Sequence, residues 1–153
     1  MGTRTSEEAA AAAWRSVMTL AGWGPGRQPR IPAVAQQFGL SPKQLVLLWR
    51  LPPGSTMSMR AMGDRLSCDA SFMTNMVDRL EEDDLIERRP DPEDRRVTLI
   101  ALTDKGDGVR NDALAALLEP PPEFAALDPD EVEQLAALLA KATAAEPSAV
   151  PGS

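Results

Sequence analysis

The feature that most constrains this fold is a change of pattern within residues 41–102. As far as residue 83, short helical segments follow one another with brief turns between them. Two short runs with extended character, residues 85–89 and 97–102, then flank a loop that contains Pro90 and Pro92. The pattern predicts a small helical domain that carries a β-hairpin, too long in its loop for a two-residue turn.

Each helix in this stretch follows a residue whose side chain can accept a hydrogen bond from a free amide of the first turn. Ser41, Ser58 and Asp69 occupy these positions, and Pro42 suits the first turn that follows Ser41. The predicted helices cover residues 42–50, 59–66 and 70–83. A three-residue turn separates the last two, which is the spacing of a helix-turn-helix.

Further helices are predicted on both sides of this stretch. They are residues 6–22 with Ser6 as N-cap, residues 33–38, a helix capped by Thr103, and residues 129–144. The helix after Thr103 cannot continue through the prolines at 120–122. Residues 146–153 are rich in Pro, Ser and Gly and are predicted to be disordered.

Composition agrees with a helical core and excludes several functions. Only 4% of the residues are aromatic, so the interior must consist mainly of Leu, Met, Val and Ala. The chain has no histidine and one cysteine, so the usual zinc sites and catalytic triads cannot form. We therefore expect no enzyme activity, no metal and no cofactor. Without a membrane span or a basic leader, a cytoplasmic location is expected.

Cys68 lies in the predicted turn before the last of the three helices. A buried small residue is usual there, and Cys packs well as a small hydrophobe. Packing is therefore the favoured interpretation, and peroxide sensing is the alternative.

The helix over residues 70–83 is amphipathic in a way that suits DNA. Its apolar side consists of Phe72, Met73, Met76, Val77 and Leu80, and the opposite side consists of Ser71, Thr74, Asn75 and Asp78. Short polar side chains allow close approach to base edges, and Asn pairs with adenine. Arg79 lies at the edge of this side, within reach of a phosphate. An ordinary surface helix would show the same pattern, and Asp78 favours that alternative.

The hairpin loop is the more informative segment. Its residues 91–96 read Asp-Pro-Glu-Asp-Arg-Arg, so two arginines stand beside a carboxylate. A carboxylate that pairs with one guanidinium can hold the other extended toward a narrow minor groove. The order of helix, turn, helix and such a hairpin predicts a winged helix-turn-helix.

The net charge of −7 opposes nucleic-acid binding unless its distribution is considered. Residues 107–153 hold two basic and nine acidic side chains, and this segment alone has a net charge of −7. Acid on the far side of a molecule costs mainly screened, long-range repulsion. The charge is therefore compatible with DNA binding through a few well-placed cations.

Residues 41–106 resemble the MarR family of transcription regulators. The resemblance is carried by Asp-Arg-Leu-Glu-Glu at residues 78–82, Leu-Ile-Glu-Arg at 85–88, the loop at 91–96, and Leu-Thr-Asp-Lys-Gly at 102–106. It implies a mainly α fold with a small β-hairpin wing, flanked by dimerisation helices at each end. The implied segments are residues 1–40 for dimerisation, 41–106 for DNA binding, 107–145 for dimerisation and 146–153 as tail.

The resemblance also implies site residues. Ser71, Thr74 and Asn75 would face the major groove, and Arg95 or Arg96 would enter the minor groove with Asp94 orienting it. Arg88 and Arg89, at the base of the wing, either contact phosphates or form a solvated face. The implied function is a homodimeric repressor on a pseudo-palindromic operator of double-stranded DNA, relieved by a small-molecule effector.

Two departures from the family pattern keep an alternative open. Asn75 stands where a basic residue is frequent, and the prolines at 120–122 shorten the helix after the wing. The alternative is a winged-helix protein-interaction module without DNA binding.

Overall fold

The computed structural model describes residues 5–144, and the predicted tail, residues 146–153, lies outside them. Residues 5–119 form one compact unit and residues 120–144 belong to a second. The first contains α1 (Ser6–Leu20), α2 (Arg30–Gln37), α3 (Pro42–Arg50), β1 (Thr56–Ser58), α4 (Met59–Leu66), α5 (Ala70–Glu82), β2 (Ile86–Pro90), β3 (Thr98–Leu102) and α6 (Asp104–Leu118). The second contains a 3₁₀ turn (Pro122–Ala126) and α7 (Pro129–Ala144).

The predicted mainly helical class with a wing hairpin is confirmed, and the predicted caps at the centre of the chain are present. Ser41, Ser58 and Asp69 each accept a hydrogen bond from an amide three residues further on. Thr103 does the same at the start of α6, where the amide of Gly106 donates to its hydroxyl at 2.9 Å. These local hydrogen bonds explain why the helices begin where the sequence predicts.

The N-terminal helices differ from the prediction in their starts. Thr5, and not Ser6, is the N-cap of α1, because it forms a reciprocal pair of hydrogen bonds with Glu8. The helix ends at Leu20, ahead of Gly22, whose φ of +91° is left-handed. α2 begins at Arg30, three residues before the predicted start, because Pro32 is tolerated in a first turn, where amides need no helical partner.

The sheet has a third strand that the sequence pattern did not predict. β3 lies in the middle, with β1 and β2 both antiparallel to it. β1 has three residues, and Met57 lies opposite Ile100, which also faces Arg88 of β2. Three residues are too few to show an alternating pattern, so only the pairing with β3 defines this strand.

The core of the first unit is aliphatic, as the composition predicts. Side chains from α3, α4 and α5 meet the first residue of β2 and the centre of β3 there. The largest fully buried side chains are Leu45, Leu47, Leu48, Leu51, Met62, Leu80, Ile86, Ile100 and Val77. This core fixes α5 and the wing in one body, because both contribute residues to it.

Within residues 5–144, the helices are all too short or too polar to cross a bilayer.

Candidate nucleic-acid interface

Helix α5 presents one polar face to solvent. Met73, Met76, Val77 and Leu80 are buried, as the sequence predicts. Ser71, Thr74, Asn75 and Arg79 are all exposed. The core therefore holds the helix from one side and leaves the candidate recognition side chains on the other.

Phe72 departs from the prediction that it belongs to the buried side. It is 44% exposed and lies at the edge of the apolar stripe, where the ammonium of Lys43 stands 4.9 Å from its ring centroid. This is a cation–π contact between the start of α3 and the start of α5. Sequence reasoning missed Lys43, since its proximity to α5 depends on how the two helices pack.

The polar face of α5 offers both donors and acceptors. The Thr74 hydroxyl donates to the carbonyl oxygen of Ala70 at 2.9 Å, so toward a ligand its oxygen can act only as an acceptor. Asn75 is exposed, and its carboxamide has a donor and an acceptor side by side. That pair matches the N6 and N7 edge of adenine, and the Thr methyl suits a thymine methyl.

The wing tip is shaped by hydrogen bonds from backbone amides to carboxylates. Asp91 accepts from the amide of Glu93 at 2.9 Å, and Asp94 accepts from the amide of Arg96 at 3.0 Å. The contact of Asp94 is thus with the main chain of Arg96, whereas the sequence suggested a guanidinium. Arg95 and Arg96 are exposed, and no salt bridge within residues 5–144 involves either one. Both guanidinium groups are therefore available to a ligand.

Arg88, at the base of the wing, lies against α5. Its guanidinium forms salt bridges with Asp78 and Glu81, and its backbone amide donates to Glu81 at 3.3 Å. Partial burial lowers the pKa of Arg88, but the hydrogen bonds with Asp78 and Glu81 outweigh it and raise that pKa above its ordinary value. The pairing answers the objection that Asp78 would repel DNA, because its charge is matched by an arginine.

Arg89 has a different partner. It forms a salt bridge with Glu87, two residues earlier on the same strand, and more than half of its side chain is exposed. Exposed pairs of this kind are weak, so Arg89 can exchange its carboxylate for another anion at little cost.

Cys68 lies half-buried beside the same region. Its thiol donates to the carbonyl oxygen of Leu66 at 3.3 Å, and Lys43 Nζ lies 3.2 Å from its sulfur. It also packs against the hydrophobic core, in agreement with the packing role that the sequence favours.

Two clefts adjoin α5. One of about 620 Å³ is bordered by Asn75 and Arg79, among others. The other, of about 420 Å³, is bordered by Met59, Cys68 and Thr74 together with other residues of α4 and α5. A molecule in either cleft would touch the face that carries the candidate recognition residues.

The chain is similar to known proteins both in sequence and in fold. A family model described as the MarR family matches residues 40–98. The relative described as the uncharacterized HTH-type transcriptional regulator YkoM of Bacillus subtilis (strain 168) is 30% identical over 109 residues, which is 71% of each chain. The chain belongs to the MarR family. The regulators of this family are not enzymes, as the sequence predicts for this chain.

Other MarR-like proteins extend the comparison. The HTH-type transcriptional repressor MdtR of Bacillus subtilis (strain 168) is 35% identical over 80 residues, or 52% of each chain. The chain thus spans about half the length of this curated relative. The crystal structure of YusO from Bacillus subtilis matches with a TM-score of 0.72 and 27% identity, over 93% of this chain and 99% of that one.

Proposed function

We propose that this MarR-family protein is a cytoplasmic, homodimeric transcription regulator that binds a pseudo-palindromic operator. One observation carries the proposal: a polar, exposed helix face lies in the same compact unit as a wing tip with two arginines outside any salt bridge of residues 5–144. A face of this kind reads bases in the major groove, and free arginines suit the adjacent minor groove.

In this proposal α5 is the recognition helix. Thr74 and Asn75 contact base edges, while Ser71 and Arg79 bind the backbone or flanking bases. Asn75 carries no positive charge, so its role is base discrimination more than phosphate attraction.

The wing supplies much of the electrostatic attraction. Arg95 or Arg96 enters the minor groove, and Arg89 releases Glu87 to bind a phosphate. Lys43 adds a cation beside α5. A dimer doubles these contacts, which compensates for the acidic balance of the chain.

The proposed dimer rests on apolar side chains that the single chain leaves uncovered. α1 has no buried residue, and Trp14 is 63% exposed. α7 also has no buried residue, although it carries Leu138 and Leu139. Large apolar groups of this kind are typical of surfaces that a second copy covers.

We propose repression as the mode of regulation, with relief by a small effector. The name of MdtR describes a repressor, and this supports repression over activation of transcription. The clefts beside α5 support the effector step, because a ligand there would compete with DNA for Asn75, Arg79 or Thr74.

The test is selection of bound sequences from a random DNA library with the full chain. The expected product is a palindrome whose half-sites lie about one helical turn, or roughly 34–36 Å, apart. Arg95→Ala and Arg96→Ala should then weaken binding of that sequence and lower its salt dependence. Arg15→Ala on α1 is the matched control, since it removes the same charge from an exposed residue.

The same selection separates the proposal from the alternative, a protein-interaction module. Enrichment of no sequence, together with a salt slope near zero, would exclude DNA binding. That result would favour the alternative, to which the acidic charge of the chain already points.

A further inference from the structure

We propose that Arg88 is a positioning residue that fixes the wing against the recognition helix and does not itself contact DNA. The inference rests on the proposed DNA-binding function. It separates Arg88 from Arg89, although the sequence presents them as two equivalent cations at the wing base.

The geometry is that of a three-point attachment. Asp78 and Glu81 are three residues apart in α5, so their carboxylates lie on one side of the helix, a turn apart. Arg88 Nη2 bonds to Asp78 Oδ1, while Nη1 bonds to Glu81 Oε2. The backbone amide of Arg88 donates to the other Glu81 oxygen. One side chain and one main-chain group of β2 are thereby tied to α5.

The attachment makes Arg88 a poor partner for a phosphate. Each terminal nitrogen of Arg88 donates to a carboxylate of α5, and its side chain is only 26% exposed. A phosphate contact would leave two carboxylates uncompensated beside the DNA, which is unfavourable. Arg89 has one carboxylate partner and is 58% exposed, so it can turn to a phosphate.

The attachment controls the distance between the recognition helix α5 and the tip of the wing. Arg88 lies opposite Ile100 in the sheet, and β2 leads to the tip within three residues. A wing fixed at its base presents Arg95 and Arg96 at one distance from Asn75, so less conformational freedom is lost on binding. Loss of Arg88 would free the wing base without removing a DNA contact.

The experiment compares Arg88→Ala with Arg89→Ala, which removes the same charge one residue away. Without DNA, amide hydrogen exchange across residues 86–98 should increase at least severalfold in Arg88→Ala and stay unchanged in Arg89→Ala. With the selected operator, Arg88→Ala should weaken binding about tenfold or more at an unchanged salt slope. Arg89→Ala should reduce the slope by about 0.9 for each phosphate that Arg89 neutralises in the wild type.

Arg88→Lys provides a second variant, because its ammonium can pair with one of the two carboxylates. Relative to Arg88→Ala, it should restore part of the affinity for the operator and part of the protection from amide exchange. If Arg88→Ala lowers the salt slope and leaves exchange unchanged, Arg88 is a phosphate contact and the proposal is wrong. The proposal would also be wrong if Arg88→Ala changed neither the affinity for the operator nor the amide exchange of the wing. If the wild type binds no DNA, the proposed function fails, while the exchange comparison still decides whether the attachment exists.

Discussion

The guanidinium of Arg30 closes the C-terminal end of α6, donating to the carbonyl oxygen of Glu119 at 2.6 Å. The same nitrogen also donates to the carbonyl of Ala116 at 3.2 Å. The last carbonyls of a helix have no amide of their own to bond, and the prolines that follow here offer none. An arginine 86 to 89 residues earlier in the chain supplies the missing donors.

Arg30→Ala should therefore lower the free energy of unfolding by about 1.5–3 kcal/mol, the usual value for hydrogen bonds that involve a charged group. Urea denaturation would measure it. Arg60→Ala, which removes the same charge from an exposed side chain of α4, should change stability by less than about 0.5 kcal/mol. Equal effects of the two variants would mean that the Arg30 contacts contribute nothing specific.

Gly106 and Gly108 provide a matched pair of substitutions in α6. A Cβ at Gly106 would lie 1.8 Å from the carbonyl oxygen of Leu85, whereas a Cβ at Gly108 would meet nothing within 4 Å. Gly106→Ala should destabilise the protein by about 2–3 kcal/mol or more, because α6 would have to move away from the start of the wing. Gly108→Ala should stabilise it by about 0.5–1 kcal/mol through helix propensity. Thermal unfolding of the two variants would test the close approach of Gly106 to the Leu85 carbonyl. If Gly106→Ala left the stability unchanged, that close approach would be refuted.

Asp94 should orient the wing tip through its oxygen and not through its charge. Asp94→Asn keeps an acceptor for the amide of Arg96 and should bind the operator at least as well as the wild type. Asp94→Ala lacks the acceptor and should bind about fivefold more weakly, which corresponds to a hydrogen bond of ~1 kcal/mol. Fluorescence anisotropy would measure both. Weaker binding by Asp94→Asn would show that the negative charge is needed after all.

Trp14 should contribute to the proposed dimer interface. Trp14→Ser should raise the dimer dissociation constant at least about tenfold, since buried Trp residues often dominate interface energies. Sedimentation at a series of protein concentrations would measure it. Arg15→Ser, next in sequence but off the apolar stripe of α1, should leave the constant nearly unchanged. A monomeric wild type would refute the dimer.

Much of the site follows from local sequence. The apolar stripe of α5 requires that Thr74 and Asn75 face away from the core, and caps such as Asp69 set where the helix begins. These features were predictable because they depend on helical periodicity and on hydrogen bonds between near neighbours.

Other features depend on residues that are distant in the chain. The strand at Thr56–Ser58 exists through its pairing with β3, and Phe72 is exposed at the edge of its stripe beside Lys43. Arg88 and Arg89 look alike in the sequence, but only Arg88 forms a salt bridge with α5 among the described residues. By itself, the sequence determined the helices, the wing and the polar face of α5. The tertiary structure decided which arginines remain available to DNA, because a salt bridge depends on packing between elements and not on the order of residues.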